Sequence, residues 1–152
     1  NKEINQPYSS NSIVSREPSF FLQKYISSNK YINQVSVNRR NNFNTIISGA
    51  IKLGYTPLYS DLNKGIVPQH AIIYDHHGGL VEFLRHNSIG ASRWPWYDLA
   101  PEIKSSKANF PNTIYFDKSL VMIPIHQSLN QLDCQLILKN LKLWKNLKSN
   151  SI

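Results

Sequence analysis

The last stretch of the chain narrows the fold more than any other. Beyond Asn130, the residues Cys134, Ile137, Leu138, Leu141, Trp144 and Leu147 recur at threes and fours, the repeat that places side chains on one face of a helix. Asn130 reads as the N-cap, and Asp133 at the third helical position forms a carboxylate variant of the capping box that occupies free backbone donors. Directly upstream, residues 120–125 (LVMIPI) form a compact apolar run that reads as a strand. A one-sided helix fed by an apolar strand needs a sheet to cover.

The same alternation runs through the rest of the chain. Residues 1–15 are polar with little apolar periodicity and read as a leader or connector; the first division is set at residues 1–18, leaving 19–152 as one domain. From Pro18, large apolar groups at Phe21, Leu22, Tyr25 and Ile26 predict a helix. A second helix is predicted over residues 34–53, with Phe43, Ile46, Ile47, Ala50 and Ile51 inward and Asn38, Arg39, Asn41 and Asn42 on the wet side. Gly54 would close it.

Short extended runs follow. Residues 55–59 are a candidate strand, at an edge because Pro57 cannot donate to a ladder. Residues 67–74 (VPQHAIIY) make a stronger strand, ending at the turn signals Asp75, Gly78 and Gly79. A helix over residues 80–86, a short strand over 89–94 and a long irregular stretch then lead to the strand at 120–125. The pattern predicts an α/β (α+β) architecture: a small antiparallel or mixed sheet with helices packed on one face. No internal repeat is visible.

At 152 residues and 41% hydrophobic content the chain suits one core. No apolar run approaches the roughly 20 residues that span a bilayer, and residues 1–15 lack the basic start and apolar centre of a secretory signal. The first residue is Asn rather than Met, as in a processed product, a truncated piece or the remainder of a longer chain. A single cysteine, Cys134, excludes an internal disulfide and a thiolate zinc cluster, and suits a cytoplasmic protein. The net charge of +8 invites an anionic partner. Its distribution argues against nucleic acid, because Lys139, Lys142, Lys145 and Lys148 fall at threes along the last helix, as on a solvated face.

Few residues offer chemistry. His70, His76 and His77 lie close in sequence, but adjacent His76 and His77 on a strand would face opposite ways, and the spacing matches no metal motif. The chain carries no GxSxG elbow, P-loop or GxGxxG fingerprint, so Gly78 and Gly79 read as a plain turn. The tetrad Arg93, Trp94, Pro95 and Trp96 is more specific. A guanidinium between indoles could hold a phosphate bidentately and stack on a ring, or the tryptophans could fill core while Arg93 caps a surface. His126 follows the apolar run at a strand-to-helix junction, where a ligand-facing and a purely structural role are both open.

Over residues 37–144 the order of features resembles the C-terminal small domain of the DegT/DnrJ/EryC1 family of pyridoxal-phosphate (PLP) sugar aminotransferases. The pieces are RRNNF at residues 39–43, GIVPQHAIIY at 65–74, LVEFLRHNSIGASRWPW at 80–96 and LVMIPIHQSLNQLD at 120–133. The resemblance implies a homodimeric enzyme of the aspartate-aminotransferase fold that moves an amino group from glutamate to a keto-sugar nucleotide. It also implies that PLP and its Schiff-base lysine belong to a large domain with no counterpart here. This chain alone would then be inactive, with no cofactor of its own, no catalytic residue and no metal, and its partner would be the missing large domain or a companion subunit.

By the same resemblance Arg93, Trp94 and Trp96 occupy the turn that approaches the substrate, and His126 lies after the strand near it. Arg93 and Trp94 stand where the family carries a histidine. The alternative reading is a free-standing, non-catalytic binding module that uses a basic, aromatic surface for an anionic partner.

Overall fold

The computed structural model describes residues 23–24, 29–95 and 98–149. The expected leader at 1–18 and most of the helix expected after Pro18 lie outside the described residues. The chain divides into two units, residues 1–33 and 34–152. In the first, the described residues 23–24 and 29–33 are helical. The second unit holds the sheet.

Among the described residues from 29 onward, five helices, a 3-10 turn and three strands follow one another: α1 (Asn29–Lys52), β1 (His70–Tyr74), α2 (Leu80–His86), β2 (Ser92–Arg93), α3 (Pro101–Ser105), the turn Lys107–Asn109, α4 (Pro111–Ser119), β3 (Leu120–Pro124) and α5 (Gln131–Ser149). The strands form one antiparallel sheet in the order β1-β3-β2. The register sets Ala71 against Ile123, Ile73 against Val121 and Ser92 against Met122. Residues directly opposite share a face, so Ala71, Ile73, Val121 and Ile123 point together into the core. There they meet Phe43, Ile46 and Ile47 of α1, Leu80 and Leu84 of α2, and Ile137 and Leu141 of α5, all buried.

The ends of the helices are set by local chemistry. α1 closes in a Schellman arrangement: the Tyr55 N–H donates to the Ala50 carbonyl at 2.9 Å and the Gly54 N–H to Ile51 at 2.8 Å, with Gly54 at φ 80° where a Cβ would strain. α2 is started by Asp75 at the end of β1. Its carboxylate is buried, yet it accepts the Leu80 N–H at 2.9 Å and the His77 N–H at 3.2 Å. α5 has the predicted capping box, since Asn130 Oδ1 accepts the Leu132 and Asp133 N–H groups at 2.8 and 3.1 Å while Asp133 Oδ2 accepts the Asn130 N–H at 2.9 Å.

Several expectations change. Helix α1 begins earlier than residue 34. The candidate strand at 55–59 shrinks to a single bridge between Pro57 and Ile73 beside β1, an edge position that fits proline. The strand at 89–94 shortens to two residues. Ile51 and Leu147, expected inward, are exposed, because each lies at the rim of its helix's apolar stripe: Leu147 sits six residues past Leu141, roughly 120° around the axis at 100° per residue.

Arg39 and Asn42, expected on the wet side, tie down the loop after β3. Arg39 Nε donates to Gln127 Oε1 at 2.9 Å, and Asn42 Nδ2 donates to the His126 carbonyl at 2.9 Å. The stretch between β2 and β3, expected to be irregular, carries α3, the 3-10 turn and α4, two of them opened by proline at the first helical position. Aromatic rings of α4 sit on the side of the sheet opposite the core, with Tyr115 5.9 Å from Tyr74 and Phe116 6.2 Å from Trp94 between centroids. Among the described residues no helix is long and apolar enough to cross a membrane.

Two measurements check this packing. In urea unfolding Leu141→Ala should cost about 2–5 kcal/mol, since Leu141 is fully buried, and Asn130→Ala about 1 kcal/mol, whereas exposed Leu132→Ala should stay within about 0.5 kcal/mol; equal losses at Leu141 and Leu132 would contradict the assignment of faces. The second concerns His70, whose pKa is lowered first by burial and then by Arg39. The folded state then binds its proton less readily than the unfolded chain, so stability is complete above the unfolded value of about 6.5 and falls as pH drops through the folded value. His70→Asn should lose less stability than the parent between neutral and mildly acidic pH, and parallel pH profiles would refute the effect.

Candidate functional site

Arg93 ends β2 opposite Val121, and its side chain reaches across to α2, where the guanidinium pairs with the Glu82 carboxylate. Two adjoining clefts share this pair. One, about 550 Å³ with its open mouth included, runs from the Gly78 and Gly79 turn past Arg93 to Lys118; the other, about 660 Å³ on the same measure, is bordered by Arg85, Pro95, Asp98 and Asp117. Their walls therefore mix three cations, Arg85, Arg93 and Lys118, with four carboxylates, Asp75, Glu82, Asp98 and Asp117.

The cations are partly committed. Arg85 Nε donates to the Ala91 carbonyl at 2.7 Å, closing the turn between α2 and β2, and Asp98 pairs with Lys104 at 2.9 Å. The Arg93 and Glu82 side chains are both more than half exposed, so their pair is worth little in stability, typically about 0.2–1 kcal/mol. A ligand anion can displace Glu82 at small cost. Trp94, next in sequence, is at the edge of exposure and lines neither cleft; its ring stands perpendicular to that of Phe116 on α4, at 88°. Trp96 lies outside the described residues.

His126 stands elsewhere. It is five residues beyond Val121, the strand partner of Arg93, and at about 3.3 Å per residue the separation is on the order of 16 Å. Its carbonyl accepts from Asn42, and its Nδ1 accepts the Ser128 N–H at 3.3 Å. The structure thus brings Arg93 and Trp94 together at one end of the sheet and leaves His126 at the other, held in the loop that α1 anchors. The sequence reading missed Glu82, Asp98, Asp117 and Lys118. Glu82 precedes Arg93 by eleven residues, and only the return of β2 alongside α2 makes them neighbours.

Among the described residues no three His, Cys, Asp or Glu side chains gather as a metal would require. His76 stacks on Tyr74 with rings 5.8 Å apart and nearly parallel. PLP does not fit the described residues either. A Schiff-base lysine needs an enclosed cleft with an opposing carboxylate for the pyridinium nitrogen, and among lysines whose side chains are described none is buried. Lys145 donates to the Leu53 carbonyl, Lys148 lies over the Trp144 ring at 4.5 Å, and Lys104 is held by Asp98. The Cys134 thiol is pushed up by burial and then by Asp133, which disfavours the thiolate.

No protein-family model matches the sequence, and no curated protein matches it by sequence. Solved structures do match by fold. The apo form of a protein described as "Putative sugar aminotransferase Spr1654 from Streptococcus pneumoniae" aligns with a TM-score of 0.64 at 17% identity, over 86% of this chain and 34% of that one. Its PLP form aligns with a TM-score of 0.61 and its PMP form with 0.60, each at 16% identity over 80% of this chain and 32% of the other. The chain spans about a third of the length of the structures it matches. At this identity the likeness is one of fold: the small antiparallel sheet with its helices is an arrangement found within a PLP aminotransferase structure.

Proposed function

We propose that this chain is the C-terminal small domain of a PLP-dependent sugar aminotransferase of the DegT/DnrJ/EryC1 type, and that it completes a substrate cleft with a large domain supplied elsewhere. The observation that carries this reading is the alignment of 86% of the chain with one third of a structure described as a putative sugar aminotransferase. PLP, bound by the large domain, would supply an electron sink for amino transfer. This chain's residues would bind and orient the substrate.

In this role the Arg93 guanidinium grips a phosphate of a nucleotide sugar through its planar fork of donors. Glu82 holds the guanidinium in place before the ligand arrives and competes with the ligand for it. The pair thereby sets affinity as well as position. Substitution of Arg93 for the family's histidine exchanges a switchable donor for a permanent cation, which suits a charged ligand group.

Titration of the 152-residue chain with uridine diphosphate, followed by calorimetry, tests the binding half of the proposal. Arg93→Ala should weaken binding by about tenfold or more, the loss of one charge-assisted contact. Glu82→Gln should strengthen it by up to about fivefold, the worth of an exposed pair. Affinity should fall with added salt. Unchanged affinity in Arg93→Ala would remove Arg93 from the site.

A further inference from the structure

Helix α5 gives one side to the core and turns another outward. Cys134, Ile137 and Leu141 are buried, whereas Leu132, Leu136 and Leu143 are 73%, 49% and 45% exposed. At roughly 100° per residue these leucines fall within about 40° of one another, a ridge running on the order of 16 Å along the helix axis. Beside Leu136 the ridge drops into a groove of about 370 Å³, its open mouth included, whose lining includes Ile89, Pro124, Leu129 and Ile137. We propose that ridge and groove together form the docking surface for a partner's amphipathic helix that carries acidic side chains beside its apolar face.

The shape suits a helix. Singly exposed leucines are ordinary on a surface, but a row of them bordering an apolar groove marks an interaction site. An amphipathic helix fills such a surface with large side chains spaced at threes and fours, entering the groove while its flank lies along the ridge. The groove has room for them: a Cβ on Gly90, which also lines it, would meet nothing within 4 Å.

Charge selects the partner. Lys139 falls in the row between Leu136 and Leu143, a position at which a lysine stem lies along apolar surface with its ammonium at the edge, and Lys142 follows within a turn. Both are exposed, and neither is in an ion pair among the described residues, where the pairs are Arg93 with Glu82 and Lys104 with Asp98. Asp133 is the one acidic residue of α5. It lines the groove, but its carboxylate accepts the Asn130 N–H in the capping box, and its position is about 9 Å along the axis from Lys139. A second copy of this chain fits poorly, because two-fold pairing through the leucines would set the same lysines against each other. A bilayer would cover the ridge and leave the groove empty. A helix with glutamates placed to meet Lys139 and Lys142 answers both the shape and the charge. None of these residues lines the clefts at Arg93.

The probe is a synthetic helix of leucine, alanine and glutamate, with leucines at threes and fours and glutamates beside them. Its controls are the same peptide with lysine in place of glutamate, and a peptide of the same composition in scrambled order. Binding to the 152-residue chain is followed by nuclear magnetic resonance of its leucine methyl groups. The acidic helix should give saturable shifts at Leu132, Leu136 and Leu143, and the basic and scrambled peptides should give none. Leu136→Ser should weaken binding about tenfold, the scale of one anchor residue. Lys139→Glu should weaken the acidic helix and admit the basic one. Both substituted positions are exposed, and unshifted core methyls of Leu84 and Leu141 report that each variant is folded. Self-association of the chain that is lost in Leu136→Ser would make the surface a contact between copies, and co-sedimentation with phosphatidylserine vesicles lost in the same variant would make it a lipid surface. Either result, the lack of saturable shifts with the acidic helix, or equal binding of the scrambled peptide would overturn the proposal.

Discussion

Strand β3 is the constraint on which the rest of the structure depends. It is the middle strand of three, so both of its edges are paired, and it is the one segment that touches β1 and β2 together. Four of its five residues are buried. Val121 and Ile123 face the helices, and Leu120 and Met122 face away, towards Tyr74, Ile72 and Ser92. A one-residue slip would exchange these sets and set Leu120 and Met122 against α1, α2 and α5. Each element of the second unit is placed by its relation to this strand, including the short β2 that presents Arg93.

The helices are then fastened to the sheet by polar ties as much as by apolar contact. Asp75 joins the end of β1 to the start of α2, and it does so from a buried position because two backbone donors replace the water it loses. Asn42 and Arg39 bind α1 to the loop between β3 and α5. Lys145 binds α5 back to the end of α1. These ties link α2 to β1 and join α1, α5 and the loop after β3 to one another.

How much of this was legible in the sequence follows from how local each signal is. The capping box of α5, the glycine that ends α1, the span of α2 and the run of β3 are set by residues a few positions apart, and the structure has them as read. The helices at 101–119 were missed because their periodicity is weak and their apolar groups, Ile114 and Phe116 among them, are only half buried. The roles of Arg39 and Asn42 were misread because their partners lie 88 and 84 residues away. Arg93 and Trp94 were singled out from their local text, but their separation from His126 and the presence of Glu82 are consequences of the strand order, which no short window contains. The family resemblance supplied what periodicity did not, an expectation of the fold that the solved structures share.

The central claim is that this chain has the fold of one part of an aminotransferase and acts with a cofactor held by another domain, its own described lysines being exposed or half-buried. Incubation of the 152-residue chain with PLP, borohydride reduction and peptide mapping tests it most directly. The account predicts sparse labelling scattered over exposed lysines such as Lys139 and Lys142, with no site approaching one equivalent. Stoichiometric trapping at a single lysine, removed by substituting that residue, would contradict it.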